Sequence, residues 1–149
     1  PIFNLRGDVI AVSTAIAQGA ESIGCAITIS KIKLDLESIK RTGKIMYPFL
    51  GVRFIAVTPD LVKEKKLGRD YGALIAGASG EIAVVADSPA AKAGIRQGDI
   101  VLEVNGERVT PERSLAAVLQ QFQVGDEVAL KVFRDGQEFE AKVKLEERK

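Results

Sequence analysis

Histidine and tryptophan are absent from the sequence, and cysteine and methionine occur once each. Without histidine there is no imidazole base. That excludes a Ser-His-Asp or Cys-His machine built from these residues alone, and a His-based metal site. The lone Cys25 excludes an internal disulfide framework and any multi-cysteine metal centre. Aromatic residues make up 5%, too few for the stacking surface that single-stranded nucleic acid uses. An excess of one charge is also missing: 21 Lys and Arg stand against 20 Asp and Glu, for a net +1. Such a balance gives no field to recruit nucleic acid or an anionic membrane. No apolar run is long enough to span a bilayer. The expectation is therefore no catalytic residue, no metal, no cofactor, no nucleic-acid partner and no membrane insertion. The sequence opens at Pro1, with neither Met nor a basic-then-apolar leader. A processed product or a piece of something longer is expected, and no targeting signal indicates the compartment.

What is present is globular in kind. In 149 residues, 46% are hydrophobic and 28% charged, enough for one domain or one small domain with an appendage. The first thirty residues read as strands. Ile2-Phe3 precedes the turn Asn4 to Asp8, and Val9 to Val12 is an apolar run. Ile23, Cys25, Ile27 and Ile29 alternate, the period of a half-buried strand, which predicts a buried and inert Cys25 thiol. Ser30 is placed to cap a helix carrying Ile32, Leu36 and Ile39, with Lys40 and Arg41 in its last turn and Gly43 as its stop. Composition changes near Lys44 to Pro48. The division predicted is 1–45 and 49–149.

The second segment has shorter elements. Phe49 to Ile55, Gly72 to Ala76, Glu81 to Val85 and Asp99 to Val104 read as strands. Thr58-Pro59, Ser88-Pro89 and Thr110-Pro111 each read as a helix start, with a capping hydroxyl before a proline at the first helical position. A helix over Glu112 to Phe122 is expected, and a single turn over Ala90 to Ala93 closed by Gly94. Val128 to Phe133 and Phe139 to Leu145 read as a hairpin about Asp135-Gly136, and Asn105-Gly106 marks another tight turn. The tail Glu146 to Lys149 and the run Lys63 to Lys66 read as solvated charge. The fold class is mainly β with helices (α+β): a small, partly open barrel with two helices over its gaps, preceded by strands and a helix.

The run Ser88-Pro89-Ala90-Ala91-Lys92-Ala93-Gly94, continued by Gly98-Asp99-Ile100-Val101-Leu102-Glu103-Val104-Asn105-Gly106, resembles the central stretch of a PDZ domain. Phe49-Leu50-Gly51-Val52 at the start and a hairpin at the end give a permuted order that resembles the PDZ domains of bacterial HtrA/Deg serine proteases. Pro1 to Ile10 resembles the segment just after the nucleophile in those proteases, with Pro1 as the proline of the Gly-Asn-Ser-Gly-Gly-Pro-Leu motif. The resemblance thus implies that residues 1–45 are the last strands and closing helix of a trypsin-like barrel, beyond its triad. Ala11, Ser13, Cys25 and Thr28 depart from the family pattern.

A PDZ domain captures the C-terminus of another polypeptide, so the resemblance implies a site. Backbone N–H groups of Leu50, Gly51 and Val52 would hold the terminal carboxylate, with the peptide added as a strand beside Val52 to Ile55. Phe49, Arg53, Phe54, Leu115, Ala116 and Leu119 would line the groove and pocket, Arg53 being alternatively a solvated cation. Of the two helix stripes, one with Leu115, Val118, Leu119 and Phe122 and one with Glu112, Ala116 and Leu119, one faces the core and the other the groove. No His is present to read a Ser or Thr near the peptide end, so apolar C-termini are expected. Asp99 is expected to hold a turn.

The leading expectation is a peptide-binding module that takes C-terminal or extended peptides of unfolded or client proteins. An alternative is a structural fragment that forms a homo-oligomer by pairing the strands of residues 1–30. Another is one part of an active serine endopeptidase when an N-terminal half is present. The resemblance implies a periplasmic or extracytoplasmic parent.

Overall fold

In a computed structural model, the protein is described over residues 1–16, 24–77 and 81–147. Two compact units divide it, Pro1–Met46 and Tyr47–Lys149. In the first, β1 (Ile2–Phe3), β2 (Val9–Ile16) and β3 (Gly24–Thr28) form an antiparallel sheet in the order β1-β2-β3, followed by α1 (Ile29–Thr42). The β1–β2 turn is organised by Asn4, whose Oδ1 accepts from the Arg6 and Asp8 N–H groups. Its Gly7 has φ +83°.

Three expectations for this unit are corrected. Cys25 is exposed, not buried, as are Ile2, Phe3, Leu5, Val9, Ile10, Val12 and Ile27. Alternation alone does not bury a strand, and this three-stranded sheet has too little of its own unit laid over it. Ile29 begins the helix rather than ending the strand, and Ile23 lies outside the described residues. The residue at the helix N-cap is Thr28 and not Ser30, which sits inside the first turn. The helix end is as expected: Gly43, at φ +77°, donates its N–H to Ile39 O at 2.8 Å. Ser38 is buried and ties the helix to the segment beyond it. Its Oγ donates to Lys44 O and accepts from Met46 N–H, each at 3.0 Å.

The second unit is built on one antiparallel sheet. Its strands are β5 (Phe54–Ala56), β6 (Ala73–Ile75), β7 (Ile100–Val104), β9 (Glu127–Arg134) and β10 (Gln137–Lys144), in the order β10-β9-β7-β6-β5. The short β8 (Glu107–Arg108) pairs with β7, while β4 (Pro48–Phe49) pairs with β11 (Glu146–Glu147). The sheet is open rather than closed into a barrel, with β10 and β5 as its edges. Central β7 is buried on both faces, so successive residues enter different clusters. Val101 and Val104 join a large core that holds Leu115, Val118, Leu130, Val132 and Leu145. Ile100 and Leu102 join a smaller one with Val57, Leu74 and Phe133, beneath Leu61 and Val62 of α2 (Pro59–Lys65). Tight turns at Asn105-Gly106 and Asp135-Gly136 have positive φ at both residues, matching the twist of the strands they join.

The hydroxyl caps divide. Thr58 accepts from Leu61 N–H at the start of α2, and Ser88 accepts from Ala91 N–H at the start of α3 (Pro89–Lys92). Thr110 instead closes a local turn, accepting from Arg113 N–H at 3.2 Å. Ser114 caps the helix beyond it, α4 (Leu115–Leu119), which starts three residues later than Glu112. The helix begins where the buried pair Leu115 and Val118 begins. Glu81 to Val85 also forms no ladder strand; only Val84 bridges to Val52. The tail is not simply solvated. Glu146 and Glu147 form β11, and Glu146 holds Lys92 Nζ at 2.6 Å.

Asp99 organises the turn before β7, as expected. Its Oδ2 accepts from Arg96 N–H at 2.7 Å, and both carboxylate oxygens take hydrogen bonds from Arg134. On the outer face, hydrogen bonds from Arg69 and then Lys131 hold the Glu138 carboxyl below its ordinary pKa. A depressed folded pKa adds stability above the ordinary carboxyl value, and that stability is lost as pH falls through the folded value. Glu138→Gln is thus expected to be less stable than the parent at pH 7. The difference should close as pH drops below about 4. Urea melts of both proteins at pH 7 and at acid pH check this.

Candidate functional site

A cleft of about 540 Å³ runs between the edge of β5 and the helix α4. Tyr47, Pro48 and Phe49 close one end, Val52, Arg53 and Phe54 form the strand side, and Ala116, Leu119 and Gln120 form the helix side. The loop Leu50-Gly51-Val52 and Val85 complete it. The strand side is an edge of the sheet: among the described residues, β5 pairs with β6 and no strand pairs with its other side. Such an edge presents main-chain donors and acceptors to an added strand.

The loop is where the expected strand Phe49 to Ile55 breaks in two. Gly51 adopts φ +85°, incompatible with a continuous strand, so β4 ends at Phe49 and β5 starts only at Phe54. The loop is held from behind. Ala90 N–H donates to Leu50 O and Val85 N–H donates to Gly51 O, both at 2.9 Å. Arg53 N–H donates to Ala83 O at 2.8 Å, and Ala76 N–H to Arg53 O at 3.1 Å. Among the described residues, no acceptor takes the Leu50, Gly51 or Val52 N–H. Three consecutive amides with this freedom, beside apolar walls, form a backbone nest suited to an anion.

Eight of the nine residues named from the sequence line this cleft: Phe49, Leu50, Gly51, Val52, Arg53, Phe54, Ala116 and Leu119. The exception is Leu115, which is fully buried in the core at 0% exposure. It belongs to the core-facing stripe of α4, together with Val118. Arg53 lines the cleft while its guanidinium pairs with Glu81. Sequence reasoning missed Tyr47, Pro48, Val85 and Gln120. Gln120 was accessible to it, lying four residues after Ala116 on the same helix face. Val85 was not: only the folded loop brings its N–H to Gly51. A larger hollow of about 880 Å³ lies elsewhere, between Glu81 to Val84 and Gly94 to Gln97, without the sheet edge or the nest.

Ala116 is exposed and faces the cleft. Ala116→Leu should therefore fill cleft space without disturbing the core. Its stability is expected to stay within about 0.5 kcal/mol of the parent. Its affinity for a peptide ending in Phe is expected to fall about tenfold or more, since overpacking costs about 1–3 kcal/mol. Calorimetric titration beside a urea melt checks both.

Residues 48–145 match the sequence model of the PDZ domain. A protein of Synechocystis sp. named as a serine protease, HhoB, is 34% identical over 136 residues, covering 90% of this chain and 33% of its own length. A protein of Marinomonas sp. named as a DegP-like periplasmic serine endoprotease is 35% identical over 151 residues, covering 99% of this chain and 31% of its own length. The chain thus spans about a third of these curated relatives. Among solved structures, the HtrA-type protease AlgW with a decapeptide superposes with a TM-score of 0.73 at 27% identity, covering 96% of this chain and 43% of AlgW. The serine endoprotease of Yersinia pestis shares the fold, with a TM-score of 0.59 at 21% identity over 99% of this chain and 46% of its own. The chain belongs to the PDZ domain family, and along its length it is similar to part of the HtrA/DegP-type serine proteases.

Proposed function

We propose that residues 47–147 capture apolar protein C-termini. The observation that carries this reading is the row of open Leu50, Gly51 and Val52 amides at the end of an apolar cleft flanked by the free edge of β5. In it, the terminal carboxylate accepts from the loop amides, each charge-assisted bond contributing about 1.5–3 kcal/mol. The peptide backbone pairs with β5, and the last side chain enters between Phe49, Phe54, Ala116 and Leu119. Affinity in the micromolar range, about −8 kcal/mol, suits such a site. The peptide bound in the AlgW structure is in keeping with this use.

In a longer protease, the cleft recruits unfolded or client proteins by their ends and delivers them to a serine endopeptidase, in a periplasmic setting like that of the named relatives. Residues 1–45 are then the closing strands and helix of the protease barrel. Chemistry of the Ser-His-Asp kind needs a histidine from outside these 149 residues, since they contain none. Titration with peptides ending in Val, Leu or Phe, each as free acid and as C-terminal amide, tests the reading. Micromolar binding of the acids with marked weakening of the amides supports it; equal binding of both rejects it.

A second reading rests on the exposed Phe3, Leu5, Ile10, Val12 and Ile27 of the first unit. Here two copies pair these strands into a homo-oligomer. Light scattering that shows a monomer at tens of micromolar protein rejects it.

A further inference from the structure

The peptide reading needs the loop amides to face the cleft, and something must turn them that way. The peptide bonds are trans, so each C=O and the N–H of the next residue point in opposite directions. Fixing a carbonyl therefore aims the next amide. Leu50 O is held by Ala90 N–H, which turns Gly51 N–H away from α3. Gly51 O is held by Val85 N–H at 2.9 Å and, at 3.4 Å, by the Ser88 hydroxyl. These bonds turn the Val52 N–H the opposite way, off the segment 85–90.

Ser88 occupies the centre of this arrangement. It is buried, at 3% exposure, and its Oγ serves two purposes: it accepts from Ala91 N–H to cap α3 and donates to Gly51 O. It also stands directly against the loop. A Cβ built on Gly51 would meet Ser88 Cβ at 2.1 Å and Ser88 Oγ at 2.5 Å. The three short helices all begin at a hydroxyl cap, but the Thr58 and Ser114 hydroxyls bond within their own first turns.

We infer that Ser88 is a positioning residue for carboxylate capture: packed against Gly51 and holding Gly51 O together with the Val85 N–H, it helps to set the direction of the Val52 amide that meets the peptide end. The inference rests on the peptide-capture reading above. It makes Ser88 matter to the carboxylate more than to the rest of the peptide. The quantity it controls is thus the ratio of affinities for one peptide as free acid and as C-terminal amide.

The test uses the full chain and a peptide ending in Val-Phe, in both forms, with Ser88→Ala and Ser88→Gly. Glycine is a tolerated N-cap, within a few tenths of a kcal/mol of the hydroxyl residues, so the second variant separates loss of the hydroxyl from loss of the fold. Titrations are run well below each variant's melting temperature. The acid-to-amide ratio is expected to fall about two- to threefold in both, the lower end of the worth of one hydrogen bond, with the acid losing more affinity than the amide form. Thr58→Ala removes a cap of the same kind from α2 and is expected to leave the ratio unchanged. Without peptide, the Gly51 and Val52 amide resonances should move in Ser88→Gly and stay in Thr58→Ala. A parent that prefers the acid beside a Ser88→Gly that keeps the whole preference overturns the inference alone. A parent without the preference overturns the peptide reading and this inference with it.

Discussion

Gly51→Ala is expected to abolish peptide binding and to lower stability by several kcal/mol. Two independent costs combine. The backbone at Gly51 lies at φ +85°, where a Cβ meets its own carbonyl at a cost of about 1–2 kcal/mol. The added methyl would also stand 2.1 Å from Ser88 Cβ, a separation that no pair of real carbons keeps. Ser88 cannot simply swing away, being buried and capping α3. Overpacking of this kind costs about 1–3 kcal/mol. Part of the strain can be relieved by moving the loop, but movement spoils the row of amides. Urea melts should show the destabilisation, and titration with a free-acid peptide should show no saturation. A variant that binds like the parent would mean that the loop amides are not the carboxylate site.

Arg134→Ala is expected to cost about 1.5–3 kcal/mol, the worth of hydrogen bonds to a charged group, because it strips a buried carboxylate of its partly exposed partner. Asp99 is only 1% exposed, and Arg134 reaches it from β9 with Nε at 2.6 Å and Nη2 at 2.7 Å. The same guanidinium donates to Gly94 O at 2.7 Å and stacks over Phe139, 4.9 Å from the ring centre. The hydrogen bond to Asp99 raises the Arg134 pKa above its ordinary value. Removing Arg134 leaves Asp99 with the Arg96 amide alone to balance a buried charge. The double variant Arg134→Met with Asp99→Leu should recover part of the loss, since it removes the buried carboxylate together with its partner. Melts of the three proteins check this. A single variant within 1 kcal/mol of the parent would contradict the account.

The legible parts of the fold are those fixed by neighbours in sequence. Asn105-Gly106 and Asp135-Gly136 announce tight turns because few other pairs tolerate positive φ twice in succession. Thr58-Pro59 and Ser88-Pro89 announce helix starts because the hydroxyl and the proline act within three residues. The same device misled at Thr110-Pro111, where the hydroxyl closes a turn and the burial of Leu115 and Val118 decides where α4 begins. Burial in the first unit was illegible for a similar reason. An alternating strand needs a covering layer, and alternation says nothing of whether one exists. At the site, Leu50 to Phe54 and one face of α4 were readable. Assigning Leu115 to the core rather than the cleft required the rotation of that helix. Val85 and Ser88, which hold the loop, required contacts between residues more than thirty positions apart.

The central claim is that the amides of Leu50, Gly51 and Val52 hold a peptide carboxylate. A ¹H–¹⁵N titration of the protein with a peptide ending in Val-Phe, as free acid and then as amide, tests it most directly. The account predicts large downfield shifts at these three amides with the acid, smaller shifts along Phe54 to Ala56 and Ala116 to Gln120, and loss of the loop shifts with the amide. Acid and amide forms moving the same resonances equally, or shifts confined to residues outside the cleft, would contradict it.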